Sequence, residues 1–242
     1  GPQAKDNQSC PCCGQPMISC ECDVQSGAVP PQSSFHLDAL GEVLADAMTD
    51  IPKIHSVSME DKKRALSAMF MAFTSDPLAR WFAPEADQYF SGGIELMEAF
   101  GGKAFENGTA YASSCYEGVS FWFPPGIEAD EDQLNKAIEN LVPSDRLDDV
   151  LAVFEAMEKS HPEEECWYLP LIGVDPAYQG KGLGSVLMKH VLAIVDENGL
   201  PAYLESSNPQ NISLYERHGF EVVGRIQIGA SPPVHPMLRS AR

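Results

Sequence analysis

The chain has 242 residues, 44% of them apolar, which is enough for one domain core of ordinary size with additional elements. Its 35 Asp and Glu outnumber 16 Lys and Arg, so the formal net charge is −19. This charge argues against DNA, RNA or an anionic membrane as the main partner, because those surfaces are bound through basic side chains. The sequence has no apolar run of about 20 residues and no charged-then-apolar start, so we expect a soluble, cytoplasmic protein.

Five of the seven cysteines lie close together near the start, in SCPCCGQPMISCEC. Almost no large aliphatic side chains surround them, so we expect residues 1–34 to be a Cys-rich tail, with a cleavage scar at residues 1–2. An odd cysteine count favours a reducing compartment. The C-P-x-C-G run is typical of a zinc knuckle, and the candidate ligands are Cys10, Cys13, Cys20 and Cys22. The alternatives are a reduced tail without metal and a fused or partner-recruiting peptide.

The middle of the chain alternates between helical and strand-like periodicity. Residues 35–55 are predicted as a helix and linker, and residues 56–242 as the main domain. From Lys53 onward the sequence predicts four elements in order. They are a strand over Lys53–Met59, a helix that stops before Pro77, a helix over Ala86–Phe105 and a hairpin that turns at Glu117–Gly118. Residues 128–160 are predicted as an acidic insertion of two helices, broken at Pro143, with a solvated face.

The last third alternates strands with helices, which predicts an α/β architecture with partly parallel strands. The predicted strands are Trp167–Val174, Ala202–Glu205 and Phe220–Ile226, and the predicted helices are Gly182–Glu197 and Asn211–His218.

A glycine-rich stretch, Gln179-Gly180-Lys181-Gly182-Leu183-Gly184, precedes the first of these helices. Backbone N–H groups at a helix N-terminus form an anion site, and glycine lets a phosphate approach closely. A P-loop is excluded because Gly182 is followed by Leu183. A dinucleotide site stays open, since Glu205 lies about 20 residues downstream, where a ribose-binding acid is expected. The third interpretation is Q-x-x-G-x-G, a pyrophosphate signature of acyl-CoA-dependent transferases.

Two ordered segments carry a family resemblance. IGVDPAYQGKGLGSVLM resembles the acetyl-CoA-binding motif of the GNAT family of N-acyltransferases, and NPQNISLYERHGF resembles the segment that follows it there. The likeness extends in style to puromycin N-acetyltransferase and its relatives, and covers about residues 56–240. It implies a mixed central sheet with splayed strands flanked by helices, and acetyl-CoA as cofactor. The Cys-rich tail lies outside the resemblance.

The resemblance also implies which residues hold the cofactor. The backbone of the strand end pairs with the pantetheine arm, and the glycine stretch wraps the pyrophosphate. The residues carried over are Ile172, Gly173, Val174, Gln179, Gly180, Lys181, Gly182, Leu183, Gly184, Ser185 and Asn211.

Acyl transfer to an amine requires proton transfer, because a lysine-like amine of pKa about 10.4 is neutral in only about one molecule in 2,500 at pH 7. Glu205, at the end of a predicted strand, is the candidate general base, with a structural turn-capping role as alternative. By the resemblance, Tyr215 is the acid that protonates the leaving thiolate, with core packing as alternative. The residues Glu163, Glu164 and Glu165 are weaker base candidates.

Aromatic residues near the predicted acceptor side, Trp122 and Tyr168, are candidate substrate contacts, although such residues are commonly core. The sequence therefore predicts an N-acetyltransferase that moves an acetyl group to a primary amine of a small molecule or peptide by direct transfer in a ternary complex. An acyl-enzyme on Cys115 or Cys166 is not expected, because no His-Cys arrangement supports it. The alternative function is a non-catalytic acyl-CoA sensor with a metal-responsive tail.

Overall fold

A central sheet of seven strands organises the protein, for which a computed structural model describes residues 52–242. The sheet order is β1-β2-β3-β4-β5-β7-β6, for β1 (Ile54–Ser56), β2 (Ala110–Ser113), β3 (Gly118–Phe123), β4 (Trp167–Val174), β5 (Ala202–Ser206), β6 (Glu221–Val222) and β7 (His235–Arg239). Only β4 and β5 pair in parallel, so the sheet is mixed and mostly antiparallel. The predicted Cys-rich tail, its zinc ligands Cys10, Cys13, Cys20 and Cys22, and the predicted helix at residues 35–48 lie outside the described residues.

Helices cover both faces of the sheet. They are α1 (Lys62–Ala72), α2 (Pro77–Phe82), α3 (Ala86–Gly101), α4 (Lys103–Glu106), α5 (Glu131–Leu141), α6 (Leu147–Lys159), α7 (Leu183–Asn198) and α8 (Ile212–Arg217). Their ends follow local chemistry: the Asp76 side chain caps α2, whose first residue is Pro77, and α7 ends at Gly199 in the left-handed conformation. In this part of the chain no helix has the length and apolar character needed to cross a membrane.

Two core clusters lie on opposite faces of the sheet, as the alternation along β3 shows. Phe121 and Phe123 belong to the cluster under α1 to α6, whereas Trp122 belongs to the cluster under α7 and α8. The helices α5 and α6 lie within residues 128–160, the segment predicted as an insertion of two helices. Its buried residues Ile138, Val150 and Val153 join the first cluster, so one face of the insertion is part of the core.

The sequence prediction is wrong at the end of the chain. The predicted strand Phe220–Ile226 is reduced to the two residues of β6, and β7 was not predicted. Pro232, Pro233 and Pro236 argue against a strand, because proline has no N–H to donate. β7 nevertheless inserts between β5 and β6.

Strands β4 and β5 separate after a short stretch of pairing. Their register joins Trp167 to Ala202 and ends at Leu169 and Leu204. From Leu171 to Val174, β4 pairs with β3 on its other side, but no strand among residues 52–242 covers the edge that faced β5. The predicted splay is therefore present, and it opens the sheet beside α7.

Candidate active site

A cavity of about 620 Å³ opens where β4 and β5 separate. It is lined by ten of the predicted cofactor residues, namely Ile172, Gly173, Val174, Gln179, Gly180, Gly182, Leu183, Gly184, Ser185 and Asn211. Lys181 does not line the cavity, and its Nζ lies 5.2 Å from the ring centroid of Tyr178. Residues more than thirty positions apart in the sequence therefore meet at one opening.

The glycine loop is shaped by backbone conformation. Gly180 and Gly182 have φ of +77° and +79°, values that side chains with a Cβ adopt only with strain. Gly184 is needed for a different reason, since a Cβ there would lie 3.3 Å from Cδ2 of Leu214. The third glycine thus permits close packing of α7 on α8, whereas the first two allow the loop to turn into α7.

The N-terminus of α7 faces this loop. No side chain of the described residues caps it, and the first intrahelical bond runs from the Val186 N–H to the Gly182 carbonyl. The preceding N–H groups are therefore available to an anion, where the helix dipole favours negative charge.

Two of the residues predicted to bind the cofactor, Gly173 and Gln179, also stabilise the structure at the end of β4. A Cβ on Gly173 would lie 2.4 Å from Cβ of Ala72, so glycine here lets α1 pack on the strand. Nε2 of Gln179 donates a hydrogen bond to the Val174 carbonyl oxygen at 3.0 Å. The glutamine side chain thereby ties the loop to the strand.

Glu205 lines the cavity with a side chain that is 2% exposed. Its Oε2 accepts a hydrogen bond from the Tyr168 hydroxyl at 2.8 Å, and its Oε1 lies 3.0 Å from Nε2 of His161. Burial and the Glu205 charge raise the pKa of the Tyr168 phenol well above its ordinary value, so this phenol remains a donor to the carboxylate. The turn after β5 is capped by Asn208 instead, whose Oδ1 accepts from the Gln210 N–H.

Tyr215 lies on α8 and is 6% exposed, with its ring packed near Phe220 and also lining the cavity. Tyr215 therefore packs in the core and also borders the cavity, so its position is compatible with both the acid role and the core-packing alternative. Burial and the charge of Asp76 raise the pKa of its phenol above the ordinary value. The hydroxyl is thus protonated at neutral pH. Asn211, at the start of α8, lines the cavity and makes no capping hydrogen bond through its side chain.

Asp76 is a cavity residue that the sequence did not single out. Its Oδ1 accepts from the N–H groups of Leu78 and Ala79, at 3.0 and 2.9 Å, and its Oδ2 accepts from Oγ of Ser207 at 2.6 Å. Burial raises the pKa of this carboxyl. Asp76 thus joins the start of α2 to the segment after β5. The sequence signal was Asp before Pro at a helix start.

The aromatic residues at the acceptor side differ from those predicted. Trp122 is fully buried in the core cluster under α7 and α8 and does not line the cavity, so it is a core residue rather than a substrate contact. Tyr168 contacts Glu205 but is itself absent from the lining. The aromatic lining residues are instead Phe73, Phe82, Phe100, Phe154, Tyr178 and Tyr215. The periodicity of α3 and α6 indicated apolar faces but not what those faces enclose.

Other candidates lie outside the cavity. Glu163, Glu164 and Glu165 are exposed and do not line it. Cys115 and Cys166 do not line it either, and burial, with the charges of Glu164 and Glu205, raises the pKa of the Cys166 thiol to about 11. Within residues 52–242, no group of three or more His, Cys, Asp or Glu is arranged to hold a metal ion.

Separated strands beside an uncapped helix N-terminus and a glycine loop define the class of protein as an acyl-CoA-dependent transferase. Comparison with known proteins agrees. Residues 114–220 match the model of the acetyltransferase (GNAT) family. An uncharacterized N-acetyltransferase of Schizosaccharomyces pombe is 27% identical over 180 residues, which are 68% of this chain and 72% of the relative. The peptidyl-lysine N-acetyltransferase YjaB of Salmonella typhimurium is 28% identical over 71 residues, 29% of this chain and 48% of that protein.

A solved structure described as histone acetyltransferase HPA2 and related acetyltransferase, from Corynebacterium glutamicum, has the same fold. Its TM-score is 0.56 at 22% identity, and the match covers 79% of this chain and 97% of that one. Residues 114–220 therefore form a GNAT-family acetyltransferase domain, and the relatives named as N-acetyltransferases support an acetyl-CoA-dependent acyltransferase. The family match argues against the dinucleotide interpretation of the glycine stretch.

Proposed function

We propose that the protein transfers an acetyl group from acetyl-CoA to a primary amine of a small molecule or peptide, directly and within a ternary complex. The observation that carries this proposal is that Glu205 and Tyr215 line the same cavity as the glycine loop and the uncovered edge of β4. A proton acceptor and a proton donor thus share one space with the predicted acyl-CoA residues.

The uncovered edge of β4 and the glycine loop divide cofactor binding between them. The backbone of Ile172, Gly173 and Val174 holds the pantetheine arm, and the N–H groups from Gly180 to Ser185 hold the pyrophosphate. Asn211 contacts the arm from α8. Acetyl-CoA supplies the acyl group as an activated thioester.

Glu205 removes the proton that the amine must lose. The carboxylate is shielded from solvent, yet its Oε1 lies 3.0 Å from Nε2 of His161, whose side chain is 35% exposed. His161 thereby offers the proton a way from Glu205 to solvent, while the Tyr168 hydroxyl orients Oε2. The attacking amine is neutral once Glu205 holds its proton.

Tyr215 donates a proton to the sulfur of the departing CoA. A raised pKa keeps this phenol protonated at neutral pH, which is the form that a general acid needs. An acyl-enzyme is not part of the proposal, because neither Cys115 nor Cys166 reaches the cavity.

Among the relatives, YjaB is named as acting on peptidyl-lysine, although the match spans less than half of that protein. It supports an amine as acceptor class without separating a peptide from a small molecule. A non-catalytic sensor is not favoured, because a sensor needs neither a buried carboxylate nor a protonated phenol in the cavity.

The test is release of free CoA from acetyl-CoA over a panel of amines, with acetyl-CoA binding measured by calorimetry on the same sample. We expect amine-dependent release that falls strongly in a Glu205→Gln, Tyr215→Phe double variant whose acetyl-CoA affinity is unchanged. Acetyl-CoA binding without release for any amine would overturn the proposal and favour the sensor.

A further inference from the structure

The part of the cavity around Glu205, here called the acceptor end, is lined mainly by aromatic and aliphatic side chains. From this lining we propose that the preferred acceptor is a monoamine on an apolar body of about the size of an aromatic ring. This inference rests on the proposed function. It adds a specificity site formed by α2, α3 and α6, with Glu205 at its base and Phe82, Phe100 and Phe154 as its walls.

A continuous series of aromatic contacts places these walls beside the base. The Tyr168 hydroxyl binds Glu205, and the Tyr168 ring centroid lies 6.5 Å from that of Phe100. The Phe100 centroid lies 5.7 Å from that of Phe154, which lies 5.3 Å from that of Phe82. Three of these rings line the cavity, so an amine held at Glu205 has its body against aromatic surface.

The rest of this end is also apolar. The same three helices and the residue before β7 contribute Leu78, Ala79, Leu96, Met97, Met157 and Val234 to the lining. Phe100 and Phe154 are only partly buried, so part of their surface faces the cavity. Burying an apolar substituent against this surface is favourable, whereas burying a polar group without a partner is costly.

The charged side chains that line the cavity favour a substrate with a single positive charge. Of the described residues that line the cavity, the acidic ones are Asp76 and Glu205, and the only basic one is Arg217 on α8, whose Nη1 contacts Ser213. Both oxygens of Asp76 already accept hydrogen bonds from Leu78, Ala79 and Ser207. Glu205 accepts a hydrogen bond only at Oε2, from Tyr168, whereas its buried Oε1 lies near His161 without a hydrogen bond and is left for an ammonium. A second cation would meet apolar side chains.

A polyamine or a lysine in a peptide suits this end less well. A polyamine brings a second ammonium and agmatine a guanidinium, and a peptide brings backbone N–H and C=O groups that need partners. An apolar pocket rejects a substrate that adds one polar group by about 100-fold, so a preference of at least about tenfold for the apolar amine is expected.

The experiment compares 2-phenylethylamine, agmatine and a blocked lysine tripeptide as acceptors. We expect kcat/KM to be highest for 2-phenylethylamine, by at least about tenfold over each of the others. Binding of the three amines to the protein saturated with CoA, measured by calorimetry, should rank them in the same order. A ranking led by agmatine or by the peptide would overturn the inference.

Variants separate the aromatic wall from the fold. Phe154→Ala should raise KM for 2-phenylethylamine about tenfold and leave KM for acetyl-CoA unchanged. Phe154→Leu should keep KM for 2-phenylethylamine close to that of the unmodified protein. Phe90→Ala is the matched control, because Phe90 is 66% exposed on α3 and does not line the cavity. Equal KM values for 2-phenylethylamine in Phe154→Ala, Phe90→Ala and the unmodified protein would also overturn the proposed specificity site.

The two proposals fail in different ways. If no amine supports CoA release but calorimetry still ranks 2-phenylethylamine first, the proposed function is wrong and the specificity site stands. If CoA is released and agmatine or the peptide is preferred, the specificity site is wrong and the proposed function stands.

Discussion

Nε2 of His161 lies 3.0 Å from Oε1 of Glu205, and the two side chains differ sharply in exposure, at 35% and 2%. The imidazole lies against the rings of Tyr168 and Tyr203, with centroid distances of 4.5 and 4.8 Å. The buried carboxylate thus reaches solvent through one oriented side chain. His161 precedes β4 and Glu205 lies on β5, so parallel pairing of these strands creates the contact.

Replacing His161 by Gln should slow the transfer of the proton from Glu205 to solvent without preventing acetyl-CoA from binding. We expect kcat to fall about tenfold, less than the about hundredfold typical of a group in direct contact with the reacting atoms, and acetyl-CoA affinity to stay the same. Added imidazole should restore part of the rate. A loss that imidazole does not relieve would indicate a purely structural role.

Replacing Glu205 by Gln removes the base but keeps the shape of the side chain. Near pH 7 we expect kcat/KM for the amine to fall about hundredfold. The deficit should shrink as pH rises toward the amine pKa of about 10, because more amine is already neutral. Initial rates from pH 6 to 10 measure this, with the exposed Glu164→Gln as control. A deficit that is equal at every pH would contradict the assignment.

Replacing Tyr215 by Phe should lower turnover about hundredfold and leave acetyl-CoA binding unchanged. Because burial and Asp76 raise the phenol pKa above its usual value of 10, ionisation of Tyr215 should cause no loss of wild-type activity below pH 10. Tyr111→Phe serves as control, since Tyr111 is buried outside the cavity. Unchanged turnover would remove Tyr215 from the mechanism.

Gly182→Ala tests whether the shape of the loop matters for binding. A Cβ at φ of +79° costs about 1 to 2 kcal/mol of strain, although no atom lies within 4 Å of it. Gly126, at φ of +80° and outside the cavity, has equally open surroundings. Both Ala variants should therefore lose similar thermal stability, but only Gly182→Ala should raise the Kd for acetyl-CoA, by about tenfold. Equal Kd values would separate the loop from the cofactor.

The ion pair of Arg239 with Asp196 should make stability depend on pH in the acid range. Nη1 and Nη2 of Arg239 donate to the two carboxylate oxygens at 2.6 and 2.9 Å, and these hydrogen bonds, with the positive charge, lower the pKa of Asp196. A lowered folded-state pKa contributes stability above the unfolded pKa of about 3.9, which is lost as pH falls through the folded value. Asp196→Asn should therefore be less stable than wild type at pH 6, with a difference that narrows toward pH 2 in urea titrations. The exposed Asp145→Asn is the matched control for removing one carboxylate.

Much of the order of elements could be predicted from local signals. Trp167–Val174 was predicted with the bounds that the structure has, because an apolar run ended at Asp-Pro. The loop before α7 was recognisable from its glycines, although two of them serve backbone conformation and one serves helix packing. In contrast, β7 was missed because its register with β5 outweighs the prolines around it.

The sequence by itself determined the proposed cofactor half of the site. A glycine loop at a helix start is a local requirement of the backbone, and its residues are contiguous in the chain. Only the tertiary structure indicated the proposed acceptor half, because Phe82, Phe100 and Phe154 come from three helices and line one cavity with Glu205 only after packing. Periodicity shows that such residues are apolar, but a side chain that lines a cavity and one that fills a core, as Trp122 does, have the same pattern.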